Sequence, residues 1–146
     1  MISIVWGQDE LIADFVHQRI QPSAPFEPGS YRGLGFAKDG QLIAGVVYHN
    51  VPRWGSVCEI ALASDSPRWC SRETFGAVLA LPFSDPRCFN LIARVEQQNT
   101  RSRKLVEGVG FQPKGQISHA FGHGRHMIVY EMTRKTWSKG RFHVGR

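Results

Sequence analysis

The chain has 146 residues, 42% of them hydrophobic, and a formal net charge of +6. That length suits a single domain able to bury roughly two-thirds of its unfolded surface, and no apolar run of about 18 residues is present to span a membrane. The N-terminal stretch MISIVWGQDELIADF places acids where a secretory leader needs bases. Cys58, Cys70 and Cys88, without CxxC spacing, read as reduced thiols rather than a disulfide frame or zinc site, so a cytoplasmic protein is expected.

Residues 2–6 read as a short strand. Asp9 can cap a helix running to about Ile20, with Leu11, Ile12, Phe15 and Val16 on one face, and Pro22 stops it. PSAPFEPGS, residues 22–30, is a proline-rich loop. Two strands, 31–38 and Gln41–His49, flank Asp39-Gly40, the strongest short hairpin signal. Gly45 in the second strand marks a close approach by a neighbouring element. Residues 56–64 form a third strand of this sheet. Residues 71–81, with Phe75, Val78 and Leu79 at helical spacing, form a helix that Pro82 ends. A strand over 89–96 follows, then a helix Thr100–Val109 with Gly110 at its C-cap. Strands over 116–121 and 127–134 close the domain, taken as residues 1–137. Residues 138–146 are a basic polar tail, which reads either as disordered or as a remnant appended to the domain.

Hairpin-linked strands come first, and strands alternating with helices come after. This order predicts a mixed α/β domain: a central, mostly antiparallel sheet with a parallel pair in its middle, flanked by helices. Ligands in such sheets sit at the carboxyl ends of the parallel strands. Residues 1–65 carry a net charge of −3 and residues 66–146 a net charge of +9. A basic half of this kind attracts a phosphate-rich cofactor or nucleic acid, or is simply a solvated face. No helix-turn-helix, zinc-finger or RNP pattern is visible, so nucleic acid stands only as a weak partner. SHAFGHGRH brings His119, His123 and His126 near a turn, but with no acidic or thiol ligand beside them no metal site is expected.

Together with NTRSRKLVEGVGFQPKG (residues 99–115) and a last strand ending in YEMTR, the order of elements resembles the GNAT (GCN5-related) N-acetyltransferase superfamily over residues 31–134. Within it, the likeness is to Rim-type and short phage-encoded members. The resemblance implies acetyl-CoA as co-substrate and transfer of its acetyl group to a primary amine by direct attack in a ternary complex. It implies that Asn99 and Ser102 face the thioester; the residues alone allow Asn99 to be a helix cap and Ser102 a surface serine. In the family an Arg/Gln-x-x-Gly-x-Gly/Ala loop binds the pyrophosphate, but IALASDSPRWCSRETF has no glycine there. Its substitutes are the strand residues Ala61, Leu62 and Ala63 and the turn residues Arg68, Trp69, Ser71 and Arg72. Alternatively, Trp69 packs into the core. Glu59 matches the family's strand-borne base, or is an ordinary strand ion pair. The tyrosine acid expected seven residues after the Asn is replaced by Val106. Ser102 then becomes the donor to the departing thiolate, with Tyr130 and Tyr48 as alternatives. Tyr48-His49 and Arg53-Trp54 read as an amphipathic turn rather than an amine pocket. The acceptor amine is open, as is a homodimeric state. Two other functions fit the scaffold: a nucleic-acid-binding or base-modifying protein, and a catalytically inactive interaction protein.

Overall fold

Among the described residues, seven strands and four α-helices succeed one another as β1 (Ile2–Val5), α1 (Asp9–Ile20), β2 (Arg32–Lys38), β3 (Gln41–His49), β4 (Val57–Ser64), α2 (Arg72–Phe83), β5 (Asn90–Glu96), α3 (Thr100–Val109), β6 (Gln112–Ile117), β7 (Met127–Thr133) and α4 (Arg134–Lys139). The computed structural model describes residues 1–20 and 26–143. Pro22, the first part of the proline-rich loop and residues 144–146 lie outside the described residues. The strands form one sheet in the order β1-β2-β3-β4-β5-β7-β6. Every neighbouring pair is antiparallel except β4–β5. This is the mixed, mostly antiparallel sheet with a central parallel pair that the element order predicts. Among the described residues no helix is long and apolar enough to cross a membrane.

Asp39 and Gly40 both take positive φ, 52° and 76°, the geometry of the predicted tight hairpin turn. On one sheet face α1 lays Ile12, Phe15 and Val16 against Val47 and Ala63. Gly45 permits that approach: a Cβ there would meet Ile12 Cγ2 and Val16 Cγ2, each at 3.1 Å. The larger core lies on the other face, where α2 and partly buried residues of α3 and α4 cover Leu34, Phe36, Val46, Leu91, Ala93 and Tyr130.

Three boundaries depart from expectation. First, α2 does not stop before Pro82 but runs through it to Phe83. A proline removes the amide that would bond the carbonyl four residues earlier, here Val78. The Tyr48 hydroxyl takes over, donating to Val78 O at 2.7 Å in the core, and the helix continues. At its end, the Arg134 guanidinium donates to the carbonyls of Phe83, Asp85 and Cys88 at 2.8–2.9 Å, satisfying groups that a helix terminus leaves open. Second, β6 begins at Gln112 rather than 116. It is an edge strand exposed along its whole length, so no hydrophobic alternation betrays it, and Pro113 is tolerated there beside a register shift. Third, the chain just beyond residue 137 is built into the fold: α4 continues to Lys139 and Phe142 is buried. α4 stacks Trp137 on Phe83 (4.8 Å between centroids), and Phe142 enters the core edge-on to Phe75.

Tyr48→Phe should destabilise the fold by about 1–3 kcal/mol, because it orphans the buried Val78 carbonyl. The penalty should shrink in a Pro82→Ala background, where the backbone amide is restored. A double-mutant cycle by denaturant titration checks this; equal penalties in both backgrounds would contradict it.

Candidate functional site: a wedge between parallel strands

β4 and β5 pair at Val57↔Asn90, Cys58↔Leu91, Glu59↔Ile92 and Ile60↔Ala93, and there the pairing ends. β4 continues to Ser64 paired only with β3, and β5 continues to Glu96 paired only with β7. Among the described residues, 61–63 and 94–96 thus each present one backbone edge without a ladder partner. Backbone N–H and C=O groups demand partners, so the wedge suits an extended ligand carrying its own amides, received as an added strand is received. The wedge opens at the carboxyl ends of the parallel strands, where the sequence places the ligand.

One lip runs from β4 into α2. Ala63 and partly buried Ala61 face the α1 core and Leu62 the larger core, so what these three can offer a ligand is backbone. After Asp65 the chain makes a 3₁₀ turn, Pro67–Trp69, capped by the Ser66 hydroxyl, which accepts from the Arg68 amide at 3.2 Å. Arg68 is exposed. Trp69 corrects the expectation of a ligand contact: it is 1% exposed, stacked on Phe36 at 5.1 Å and edge-on to Phe75 at 5.0 Å. It anchors the loop from below, so the backbone needs no glycine to hold its path. Ser71 is half of a capping box: its Oγ accepts from the Thr74 amide and its own amide donates to Thr74 Oγ1. The hydroxyl therefore shapes the helix start, leaving first-turn amides and the positive end of the helix dipole toward the opening. Arg72 turns away, its Nε donating to the carbonyl of Arg141 at 3.1 Å.

The other lip is the start of α3. Asn99 is its N-cap, with Oδ1 accepting from the Ser102 amide at 3.1 Å. Its side-chain oxygen is committed to the helix, and Ser102 sits half-buried one turn in. Burial pushes the Cys70 thiol up, and the Arg101 guanidinium of α3 pulls it back down. Tyr130, expected as an alternative acid, lies beneath α3 with no exposed surface. Its hydroxyl donates to Glu107 Oε2 at 2.5 Å and accepts from Arg103 Nε at 3.1 Å. Burial, reinforced by the Glu107 bond, raises its pKa. It fastens α3 to the sheet. Tyr48 is likewise occupied by Val78, and burial holds its hydroxyl well above the usual phenol range.

On the opposite sheet face a polar cluster marks the point where the strands part. Glu59 of β4 is one residue before the last paired position, and Arg94 of β5 is one residue after it. Glu59 Oε1 accepts from Asn50 Nδ2 at 3.0 Å and forms an ion pair with Arg94, whose Nε lies 3.1 Å away. Its Oε2 faces His49 Nε2 at 3.6 Å, a nitrogen buried without a hydrogen-bond partner. Phe26 covers the imidazole edge-on at 4.9 Å. Burial lowers the His49 pKa, with Glu59 pulling it back up. Glu59 is thus both strand-borne carboxylate and ion-pair partner. Sequence alone places His49 at the end of β3; the β3–β4 register, which sets it opposite Glu59, is what reveals the pair. Trp54, by contrast, projects into solvent.

Other polar features are engaged elsewhere. His119 Nδ1 and His126 Nδ1 accept backbone amides and shape the β6–β7 turn. Among the described residues no cluster of three metal-ligating side chains forms. A cavity of about 360 Å³ opens at the other end of the parallel pair, lined by Tyr31, Tyr48, Cys58 and Cys88 among others. Its two thiols are inert: burial raises both, Cys58 to about 12.

Two open strand edges could receive an extended ligand that carries its own amides, and Arg68, Arg101 and the start of α2 could meet negative charge on it.

No family model and no curated protein matches the chain. Solved structures do. The spermidine/spermine N-acetyltransferase SpeG of Vibrio cholerae, in mutant form, is 11% identical with a TM-score of 0.73, over 92% of this chain and 96% of that one. RimJ of Mycobacterium smegmatis, solved with CoA-disulfide, is 16% identical with a TM-score of 0.69, over 97% and 86%. A putative acetyltransferase of Acinetobacter baylyi is 14% identical with a TM-score of 0.72, over 93% and 94%. At these identities the likeness establishes the architecture: the chain has the fold of the GNAT acetyltransferases.

Proposed function

We propose that this protein transfers an acetyl group from acetyl-CoA to a primary amine by direct attack in a ternary complex. One observation carries the reading: the β4–β5 parting and the His49–Glu59–Arg94 cluster coincide at one point of the sheet. A thioester lying in the wedge and an amine arriving from the polar face would meet there. The thioester supplies an acyl carbon with a good leaving group. Residues 61–63 hold its carrier through backbone, with Arg68 and Arg101 at the phosphates.

The chain's own groups then have distinct tasks. The Glu59 carboxylate draws in an ammonium. His49, whose pKa burial lowers, accepts at Nε2 one proton of that ammonium, freeing the nitrogen lone pair that attacks the acyl carbon; the second proton, lost by the nitrogen as the amide forms, leaves on the sulfur as the thiol. Glu59 steadies the resulting imidazolium, while Arg94 and Asn50 hold Glu59 in place. As the carbon–sulfur bond breaks, the Ser102 hydroxyl offers a hydrogen bond to the departing thiolate. The Rim-type likeness stated for residues 99–115 supports that role, but names no acceptor.

Mass spectrometry of a panel of peptides, polyamines and aminoglycosides, with and without acetyl-CoA, tests the activity. An acetylated product that requires both enzyme and acetyl-CoA is expected; none with any amine would overturn the reading. On the best acceptor, kcat/KM should hold down to a pH below the ordinary histidine value of about 6.5 and fall as His49 protonates. Glu59→Gln removes the negative charge that raises His49, so it should move this acid limb to lower pH and reduce kcat by about 10–10²-fold. His49→Gln should abolish the limb. A limb unmoved by either change would assign the proton to another group.

Ser102→Ala should lower kcat by up to about 10²-fold while leaving acetyl-CoA affinity within about 1 kcal/mol. Full kcat in this variant would make Ser102 a surface residue of α3 and leave the thiolate to solvent.

A further inference from the structure

The cavity of about 360 Å³ at the amino end of the parallel pair has no task in acetyl transfer. It lies on the sheet face of the larger core: Tyr48 and Cys58 line it, whereas His49 and Glu59, each one residue on, meet on the other face. Leu81 and Pro82 of α2 form the opposite wall. These walls are held in place. The Tyr48 hydroxyl ties β3 to α2 at Val78 O, and Arg134 binds the carbonyls of Phe83, Asp85 and Cys88. A preformed hollow at the small end of the range that ligand pockets span suits a small molecule.

Most polar groups of the lining are already engaged. Ser30 Oγ donates to Glu27 O and Ser84 Oγ to Leu81 O, each at 2.6 Å. The Asp85 carboxylate accepts from Arg87 Nε at 3.1 Å and from Nη2 at 2.8 Å. Burial raises the Cys58 and Cys88 thiols and the Tyr48 phenol, so all three are uncharged at neutral pH. The Tyr31 ring is turned to the α1 cluster, where Glu10 and Asp9 act on its hydroxyl. Arg32 remains. Its guanidinium is exposed and forms no hydrogen bond or ion pair among the described residues. In the β2–β3 register it stands opposite Tyr48, and cross-strand partners share a sheet face. Its charge reaches the Tyr48 phenol and offsets part of the rise that burial causes.

A neutral hollow with one unspent guanidinium at its rim calls for an apolar body carrying one negative head. The forked guanidinium donors match a carboxylate. We propose that this cavity binds a small monocarboxylic acid, its carboxylate on Arg32 and its hydrocarbon body against Tyr48, Leu81 and Pro82. The wedge, His49 and Glu59 take no part in that binding.

Heteronuclear NMR titration of the full chain with hexanoate, hexanamide and acetate tests the site. Hexanoate should shift the amide signals of Arg32, Cys58 and Leu81 and leave those of residues 61–63 and 94–96 in place. Hexanamide, which lacks the charge, and acetate, which lacks the body, should each bind roughly tenfold more weakly. Arg32→Gln should bring hexanoate down to the affinity of hexanamide without changing the latter, and Arg32→Lys should recover part of the difference. Leu81→Trp, which fills the hollow, should abolish hexanoate binding. Unchanged circular dichroism would verify that each variant folds. The proposal is overturned by no binding of hexanoate, by shifts confined to residues outside the lining, by equal affinities for hexanoate and hexanamide, or by full hexanoate affinity in Arg32→Gln. None of these readouts requires acetyl-CoA, so failure of the acyl-CoA reading would leave them unchanged.

Discussion

The rest of the structure depends on two parallel strands that stop pairing. β4 and β5 share a ladder for four positions and then diverge after Ile60 and Ala93, each keeping only its outer neighbour. Unpaired backbone edges inside a sheet are expensive, so such a parting needs the two half-sheets held from outside and leaves edges that only solvent or a ligand can satisfy. The Glu59–Arg94 ion pair spans the strands at the fork. It is half solvent-exposed on the arginine side, so its worth in stability is modest; its consequence is to fix a carboxylate beside His49 at the end of the gap.

The lips of the wedge are stiffened by groups that sequence alone offers as chemistry. Tyr130 clamps α3 through Arg103 and Glu107. Tyr48 stands in for the amide that Pro82 lacks. Trp69 roots the turn before α2 in the aromatic core formed with Phe36 and Phe75, and Asn99 caps α3. Tyr130, Tyr48 and Asn99 thus spend hydrogen bonds on the protein itself, and Trp69 spends its ring on the aromatic core. Under the proposed acetyl transfer, the chemistry falls to His49 and Glu59 on the polar side and the binding to backbone along β4.

Much of this fold was legible. The Asp39-Gly40 turn, the close approach at Gly45, the α3 boundaries and the strand alternation all follow from local rules that tertiary packing does not overturn. What escaped depends on contacts distant in sequence. Pro82 ends a helix unless a tyrosine 34 positions earlier supplies a hydroxyl, and that requires knowing that β3 lies beneath α2. The burial of Phe142 depends on its finding Phe75. β6 carries no buried residue to announce it. At the site, the Asn99–Ser102 spacing was readable as a helix start, whereas the pairing of His49 with Glu59 needed the β3–β4 register, in which they stand opposite one another.

Hydrogen exchange with and without acetyl-CoA addresses the central claim most directly. Backbone amides of residues 61–63 and 94–96 that face the gap should exchange quickly in the free protein. They should gain protection when acetyl-CoA is added, as the wedge acquires the partner its edges lack. Binding that protects other parts of the chain and leaves both edges unchanged, or no binding at all, would contradict the account.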